Sequence, residues 1–369
     1  MWLQRLRHTF RQLPPRLVFL SAIAMGGLFA PATAAPAVQL GPAPQAMPHA
    51  TELLAAAPAT TGIDNTQPQA PTILFRAVYN APIPDAAWSG AIDGCNPGST
   101  NPEYRAAILT RINFYRAMAG LPSIVSLNDT YSGNAQAAAL MMSAARSLTH
   151  SPDPSWACYS EAGKTGAGNS NLALGRSGPA AIDAYIEDVG DFNGPVGHRR
   201  WVLYPYTQQM GTGDVVGNNA IPANALWVFD TQRLQDRPAV REPEGFVAWP
   251  PRNYVPYQVV YARWSFTLPK ADFSAAQVTM QNANGADVPV TLETVVNGYG
   301  ENTIVWRPNN MKDSDPWAKP SGGSEFYDVT VSNVMVSGQA RSFSYRVIIF
   351  DPDTVAFNLN RKTYLPLVK

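Results

Sequence analysis

Residues with strong chemical reactivity are scarce in this chain. Its 369 residues include two cysteines and four histidines, and the cysteines form no CxxC pair. The sequence also lacks the HExxH, GxSxG and Walker-type signatures that position a catalytic zinc ion, an activated serine or a nucleotide phosphate. A structural zinc site built on cysteine is therefore disfavoured, and so are these three catalytic classes.

Charge is scarce as well. Charged residues make up 15% of the chain, and 27 basic residues balance 27 acidic ones. Because binding to a phosphate backbone depends on clustered Lys and Arg side chains, this composition gives no reason to expect a nucleic-acid partner. The hydrophobic fraction of 46% can supply more than one packed core in a chain of this length.

The N-terminal apolar run is too short to span a membrane. It covers residues 17–30, follows four arginines and precedes Ala32-Thr33-Ala34, which is the pattern of a secretory signal peptide cleaved after Ala34. An uncleaved anchor is the alternative, but about 14 residues fall short of the ~20 that a spanning helix requires. We therefore expect a secreted or surface-displayed protein with no integral membrane span after cleavage.

Cleavage would also change the charge balance. Removing those four of the 27 basic residues leaves 23 against 27 acidic ones. The exported protein would then carry about −4 formal charge, which argues against adhesion to anionic membranes.

Export affects the interpretation of the two cysteines. Cys95 and Cys158 would meet an oxidising environment, in which a pair of thiols tends to form a disulfide. Two separately buried thiols are the alternative, because the sequence does not supply the distance between the Cα atoms.

Helix signals dominate the first part of the mature chain. A helix is expected to begin at Asn101-Pro102-Glu103, because Asn is a good N-cap and Pro and Glu are favoured in the first turn. Further helices are expected at residues 129–147 and from Ser177 or Gly178, with a loop-like stretch at 150–169 between them. Strand patterns follow at residues 201–216 and 225–231, so the region predicts an α/β layered domain.

Beyond residue 245 the pattern changes to short β-rich runs broken by turns. Tyr327, Val329 and Val331 alternate with polar residues, as a half-buried strand requires. Roughly six or seven such strands in about 110 residues favour an immunoglobulin-like β-sandwich, with Trp264 or Trp306 in its core.

The predicted organisation has six parts. They are a signal peptide at 1–34, a flexible Ala/Pro-rich tether at 35–72, an α/β domain at 73–231, a linker at 232–245, an all-β domain at 246–358 and a C-terminal tail at 359–369.

Two histidines fall in the predicted folded part of the chain, whereas His8 and His49 lie in the signal peptide and the tether. His150 follows the second helix and His198 follows the third, and side chains at such junctions are often functional. A purely structural role is the alternative for each. The neighbouring Arg199 and Arg200 could bind a carboxylate, but a solvated or helix-terminus role is favoured for them.

The order of motifs around these histidines resembles the CAP superfamily, the group of cysteine-rich secretory, antigen 5 and pathogenesis-related proteins, in its bacterial form. The motifs are "INFYRAMAGLPSIVSLNDTYSGNAQAAALMM", "LTHS", "SNLALG", "GHRRWVLYP" and "MGTG", within roughly residues 100–231. The resemblance implies an α-β-α sandwich and a surface cleft in which two histidines face two acidic residues. His150 and His198 match the histidine positions of the family.

The acidic positions match less well. Ser170, next to Asn171, stands where the family usually has Glu, and Asp188 is the nearest match for the second acid, with Glu187 as a neighbouring alternative. Two imidazoles and one carboxylate, namely His150, His198 and Asp188, could still hold Zn²⁺ or another divalent metal. Serine is a poor ligand and a poor base, which weakens that hypothesis.

Three function classes remain open. The resemblance favours a secreted binding module that holds a small or apolar ligand, or a cell-envelope component, in the two-histidine cleft; sterols and fatty acids are known ligands of family members. The alternatives are a divalent-metal-dependent hydrolase of peptide or cell-envelope material and a structural or adhesion protein. Enzymatic activity is the less favoured class.

Overall fold

A computed structural model describes residues 38–45, 62–217 and 219–357 of the chain. The predicted signal peptide at 1–34 and tail at 359–369 lie outside the described residues. Within the described ranges, no helix combines the length and the apolar character needed to cross a membrane.

A five-stranded sheet forms the centre of the first domain. Its strand order is β1-β3-β5-β4-β2, with antiparallel pairing except between β2 and β4. The strands are β1 (Gln39–Leu40), β2 (Ser126–Leu127), β3 (Ser170–Leu174), β4 (Gln209–Val215) and β5 (Ala223–Trp227).

Helices pack on both faces of this sheet. Successive residues of one strand point to opposite faces, and Leu172 and Ala173 of β3 accordingly join different apolar clusters. The cluster around Leu172 contains residues of α3 (Asp129–Ala145) and α4 (Glu161–Gly168), whereas the cluster around Ala173 contains residues of α2 (Pro102–Met118), α5 (Pro179–Glu187) and α6 (Gly197–Val202). A shorter helix, α1 (Gln69–Leu74), precedes them.

Local capping explains where the predicted helices begin. The Asn101 side chain accepts a hydrogen bond from the Tyr104 N–H at 2.7 Å, and Asn128 caps α3 in the same way through Tyr131. The predicted helices at Asn101-Pro102-Glu103, at 129–147 and near Gly178 are confirmed, each within about two residues at its ends.

Two predictions were wrong, namely the loop at residues 150–169 and the strand that begins at residue 201. The stretch at 150–169 contains α4, whose three glycines lower its helix propensity. Gly166 lets α4 approach α3 closely, since a Cβ there would lie 2.1 Å from the Asn134 carbonyl oxygen. Residues 201–202, expected in a strand, end α6 instead. In both cases tertiary contacts override weak local propensity.

The second domain consists of two four-stranded sheets. Their strand orders are β10-β11-β8-β6 and β7-β13-β12-β9, and their apolar side chains meet in one cluster that includes Trp264 and Trp306, both fully buried. The strands are β6 (Val247–Trp249), β7 (Asn253–Pro256), β8 (Trp264–Thr267), β9 (Gln277–Asn282), β10 (Val290–Leu292), β11 (Thr303–Pro308), β12 (Ser324–Val336) and β13 (Gln339–Phe350).

The two domains share that apolar cluster. The Tyr115 hydroxyl of α2 lies 2.9 Å from the Tyr261 hydroxyl, and the Tyr115 ring packs edge-on against Trp249 at 5.2 Å between centroids. The predicted linker at 232–245 is packed against both: Leu234 is buried, and Arg237 bonds Glu301 through two contacts of 2.5 and 3.0 Å.

The tether prediction for 35–72 was wrong for its described parts. Residues 38–45 form β1 and then run across the first domain, with Ala43 7% exposed, and α1 begins at Gln69. The composition of this stretch resembles a linker, but its few apolar residues are enough to pack against a surface that is already formed.

The disulfide between Cys95 and Cys158 is confirmed. Their Cα atoms are 5.1 Å apart, within the range that a disulfide requires. The bond links the segment before α2 to the segment before α4, two regions that are 63 residues apart in the chain.

The shared cluster predicts that the first domain does not fold alone. Truncation after residue 245 would expose the Tyr115 face of α2 and leave buried polar groups without partners, each costing about 1–3 kcal/mol. We expect the truncated protein to aggregate or to lack a cooperative thermal transition in circular dichroism. Truncation after residue 357, which removes none of these contacts, is the control. A cooperative transition of the shorter form within about 5 °C of the control would contradict the prediction.

Candidate functional site

His198 is held by a single carboxylate. Its Nδ1 lies 2.7 Å from Asp188 Oδ1, and the other oxygen, Oδ2, accepts hydrogen bonds from the backbone N–H groups of His198 at 2.9 Å and Arg199 at 3.2 Å. Both side chains are fully buried. Asp188 therefore orients the ring and also satisfies two free N–H groups in the first turn of α6.

The local backbone makes this arrangement possible. Asp188 ends α5 in the left-handed conformation, with φ 60°, and Val196 before α6 is also left-handed, with φ 47°. The chain therefore reverses between the two helices, so that the end of α5 faces the beginning of α6. The Tyr185 ring stacks on the His198 ring at 5.5 Å between centroids.

The second ring nitrogen of His198 has no such partner. Nε2 is buried and makes no hydrogen bond to any described residue. In the neutral ring, a proton on Nδ1 that is donated to Asp188 leaves a lone pair on Nε2. The arrangement thus presents one buried acceptor whose orientation is fixed.

His150 is held by backbone carbonyl groups instead. Its Nδ1 lies 2.7 Å from the Ala167 oxygen and its Nε2 lies 2.6 Å from the Pro42 oxygen. Burial lowers the pKa of His150, while hydrogen bonds to the Ala167 and Pro42 carbonyl groups oppose that shift. The two histidines, 48 positions apart in the sequence, are thus held in different ways: His198 by a carboxylate and His150 by carbonyl groups.

Ser170 and Asn171 begin β3 beside this pair. The Asn171 amide donates to the His198 carbonyl oxygen at 3.1 Å. Ser170 Oγ and Asn171 Oδ1 are buried and make no hydrogen bond within the described part of the chain. Together with His198 Nε2, three buried polar atoms of β3 and α6 thus have no hydrogen-bond partner among the described residues.

The donor set does not fit a metal ion. Both nitrogens of His150 contact carbonyl oxygens, and both oxygens of Asp188 are engaged by His198 and Arg199. In the residues at 38–45, 62–217 and 219–357, no group of three or more His, Cys, Asp or Glu side chains is arranged to hold a metal. The proposed set of His150, His198 and Asp188 would need to rearrange before it could bind Zn²⁺.

Arg199 and Arg200 are not solvated, but both lie in the last turn of α6, which is the helix-terminus half of the expectation. They are 1% and 5% exposed, and burial lowers the pKa of each to about 10. Arg199 donates to the Arg263 carbonyl oxygen at 2.9 Å, and Arg200 donates to that of Glu301 at 2.9 Å. Both arginines therefore attach α6 to the second domain.

The described N-terminal segment, residues 38–45, is named the strap here because it crosses this region. It pairs with β3, its Pro42 carbonyl contacts His150, and its Pro44 carbonyl accepts from Trp201 Nε1 at 2.6 Å. The strap therefore contacts β3, His150 and α6 together.

Sequence reasoning missed the strap, Tyr185 and Trp201. The strap carries no strand or helix pattern, so composition alone could not identify it. Trp201 lies inside the "GHRRW" motif, so the sequence could have indicated it. Tyr185 lies one turn before Asp188 on α5, which is the spacing that places two side chains on one helix face.

Glu187, the alternative acid, gives a pH-dependent prediction. Burial raises its pKa to about 7, and Asp313 and Asp183 add to the shift while Arg199 opposes it. The unfolded chain releases this proton near the ordinary pKa of 4.5, so Glu187 lowers the folding stability progressively as the pH rises from there towards 7.

Glu187→Gln should remove this pH-dependent loss of folding stability. Allowing for the solvent that reaches this half-buried side chain, we expect the variant to gain about 1 kcal/mol over wild type at about pH 8 and little at about pH 5, measured by urea unfolding. Glu103→Gln, at an exposed helix position, is the control. An equal gain at both pH values would contradict the prediction.

Comparison with known protein families gives one match. The model of the CAP family, described as the cysteine-rich secretory protein family, matches residues 109–229. The matched region runs from α2 through β5 and contains His150, Ser170, Asp188 and His198. The resemblance found in the sequence is thus confirmed, and residues 109–229 of this chain form a CAP domain.

Proposed function

We propose that this protein is an extracellular CAP-domain binding module that holds a small or apolar ligand in the cleft between His150 and His198. The observation that carries the proposal is the buried Nε2 of His198, which has no partner among the described residues while Asp188 fixes the proton on Nδ1. A buried acceptor of this kind is costly to leave unpaired, and a ligand that donates a hydrogen bond to it removes that cost.

Binding is favoured over metal-dependent hydrolysis by the same contacts. A hydrolytic zinc site keeps three protein ligands and one open position, but His150 and Asp188 are already engaged. Ser170 replaces the carboxylate that could act as a base in other family members. The hydrolase alternative would therefore require changes at two of the three proposed ligands.

We further propose that the second domain is an immunoglobulin-like accessory module. In that fold, strands A, B, E and D form one sheet and strands C, F and G form the other. The orders β6-β8-β11-β10 and β9-β12-β13 support this assignment, with β7 added beside β13. The Cys95–Cys158 disulfide supports secretion, since such bonds persist in oxidising compartments.

The role of His198 can be tested with a fluorescent sterol, dehydroergosterol, as the apolar probe, because its hydroxyl group can donate a hydrogen bond to Nε2. The strap crosses the proposed cleft, so the titration uses the Ala43→Arg variant. Its arginine side chain cannot fit opposite Gly197 and should displace the strap. Adding His198→Asn keeps a donor for Asp188 but removes Nε2, and loss of one hydrogen bond should weaken binding by about tenfold.

Two comparisons complete this test. Glu103→Gln in the Ala43→Arg protein should leave the affinity for dehydroergosterol unchanged, and all variants should retain a cooperative thermal transition. Equal affinity with and without His198→Asn would contradict the proposal that this cleft binds the ligand.

A further inference from the structure

Resting on the proposed binding function of the cleft, we propose that its ligand is an extended peptide and that the strap, residues 38–45, is an intramolecular copy of that ligand. The strap is bound along the edge of a sheet, through its backbone and one small side chain. Those contacts describe which peptide the cleft accepts.

Backbone pairing provides the first contact. Gln39 and Leu40 pair antiparallel with Leu174 and Ala173, so the strap adds a strand at the β3 edge of the five-stranded sheet. Peptides commonly bind proteins by adding a strand in this way. The ladder covers only two residues of each strand, so a peptide that replaces the strap has few backbone bonds to displace.

Carbonyl recognition provides the second contact. After Gly41, His150 Nε2 contacts the Pro42 oxygen and Trp201 Nε1 donates to the Pro44 oxygen, each at 2.6 Å. His150 Nε2 and Trp201 Nε1 thus contact alternate carbonyl groups of an extended chain, and the His150 contact is a hydrogen bond in the tautomer that carries its proton on Nε2. Proline suits this path, because its fixed φ favours extended backbone and it brings no N–H that would need a partner here.

A small side chain provides the third contact. Ala43 lies between the two recognised prolines and is 7% exposed. A Cβ built on Gly197 would lie 2.5 Å from Ala43 Cβ and 2.8 Å from the Tyr299 ring, so Gly197 creates the space that Ala43 fills. The cleft therefore selects alanine or glycine at this position, flanked by prolines.

Three buried polar atoms belong to β3 and α6, the elements that the strap contacts, and have no partner among the described residues. His198 Nε2, Ser170 Oγ and Asn171 Oδ1 remain buried and make no hydrogen bond within the described ranges. His198 directly follows Gly197, the residue against which Ala43 packs. A peptide with a polar group at this point would form hydrogen bonds that the strap does not form, and would therefore bind more tightly than the strap.

The inferred ligand is accordingly an extended segment of a secreted or envelope protein, with a small residue between two prolines. The strap competes with it at the high effective concentration of an attached segment. Wild-type protein should therefore bind such a peptide weakly, and displacement of the strap should strengthen binding.

The test uses the fluorescein-labelled peptide VQLGPAPQ, which is the sequence of residues 38–45. Fluorescence anisotropy is measured on the full chain as wild type, as Ala43→Arg, and as Ala43→Arg with Gly197→Val. We expect Ala43→Arg to bind at least about tenfold more tightly than wild type and the double variant to lose binding. A peptide with arginine in place of its alanine should not bind Ala43→Arg.

Several outcomes would overturn the inference, and they separate it from the proposed function. Binding of dehydroergosterol by Ala43→Arg without binding of the peptide contradicts the peptide class and leaves the binding function intact. Failure of both probes contradicts both proposals. Equal peptide affinity in wild type and Ala43→Arg contradicts the role of the strap. If Ala43→Arg does not fold, a full chain with Gly and Ser throughout residues 38–45 takes its place.

Discussion

The site depends on the burial of one carboxylate, that of Asp188. Its two oxygens hold the His198 ring and the first turn of α6, and its backbone carbonyl accepts a hydrogen bond from Arg263 of the second domain at 2.5 Å. A single residue in the left-handed conformation therefore joins the end of α5, the start of α6 and the β-rich domain. Removing a carboxylate so placed would leave several buried donors unpaired.

The second domain contributes to the site through this junction. Arg199 and Arg200, which follow the histidine directly, extend into the β-rich domain, and Arg263 reaches back to Asp188. Buried arginines that bond several carbonyl groups tolerate little displacement, because each lost contact leaves a buried polar group. The direction of the His198 ring is thus fixed from both domains, which is consistent with a cleft that is organised before a ligand arrives.

Local signals were sufficient for part of the fold. Asn101 caps its helix as the sequence predicts, and the histidine motifs identified the CAP domain. The rest depended on tertiary packing. Helix α4 has too many glycines for its propensity to indicate a helix, the strap has the composition of a linker, and Arg199 looks like an ordinary surface arginine until its partners from the second domain are known.

The central claim concerns the proton on His198, which Asp188 should hold on Nδ1 so that Nε2 keeps a free lone pair. Long-range ¹H–¹⁵N correlation spectra of histidine-labelled protein at neutral pH measure this directly, with His198→Asn assigning the signal. The account predicts a protonated Nδ1 and an unprotonated Nε2. A proton on Nε2 with Nδ1 unprotonated would contradict it.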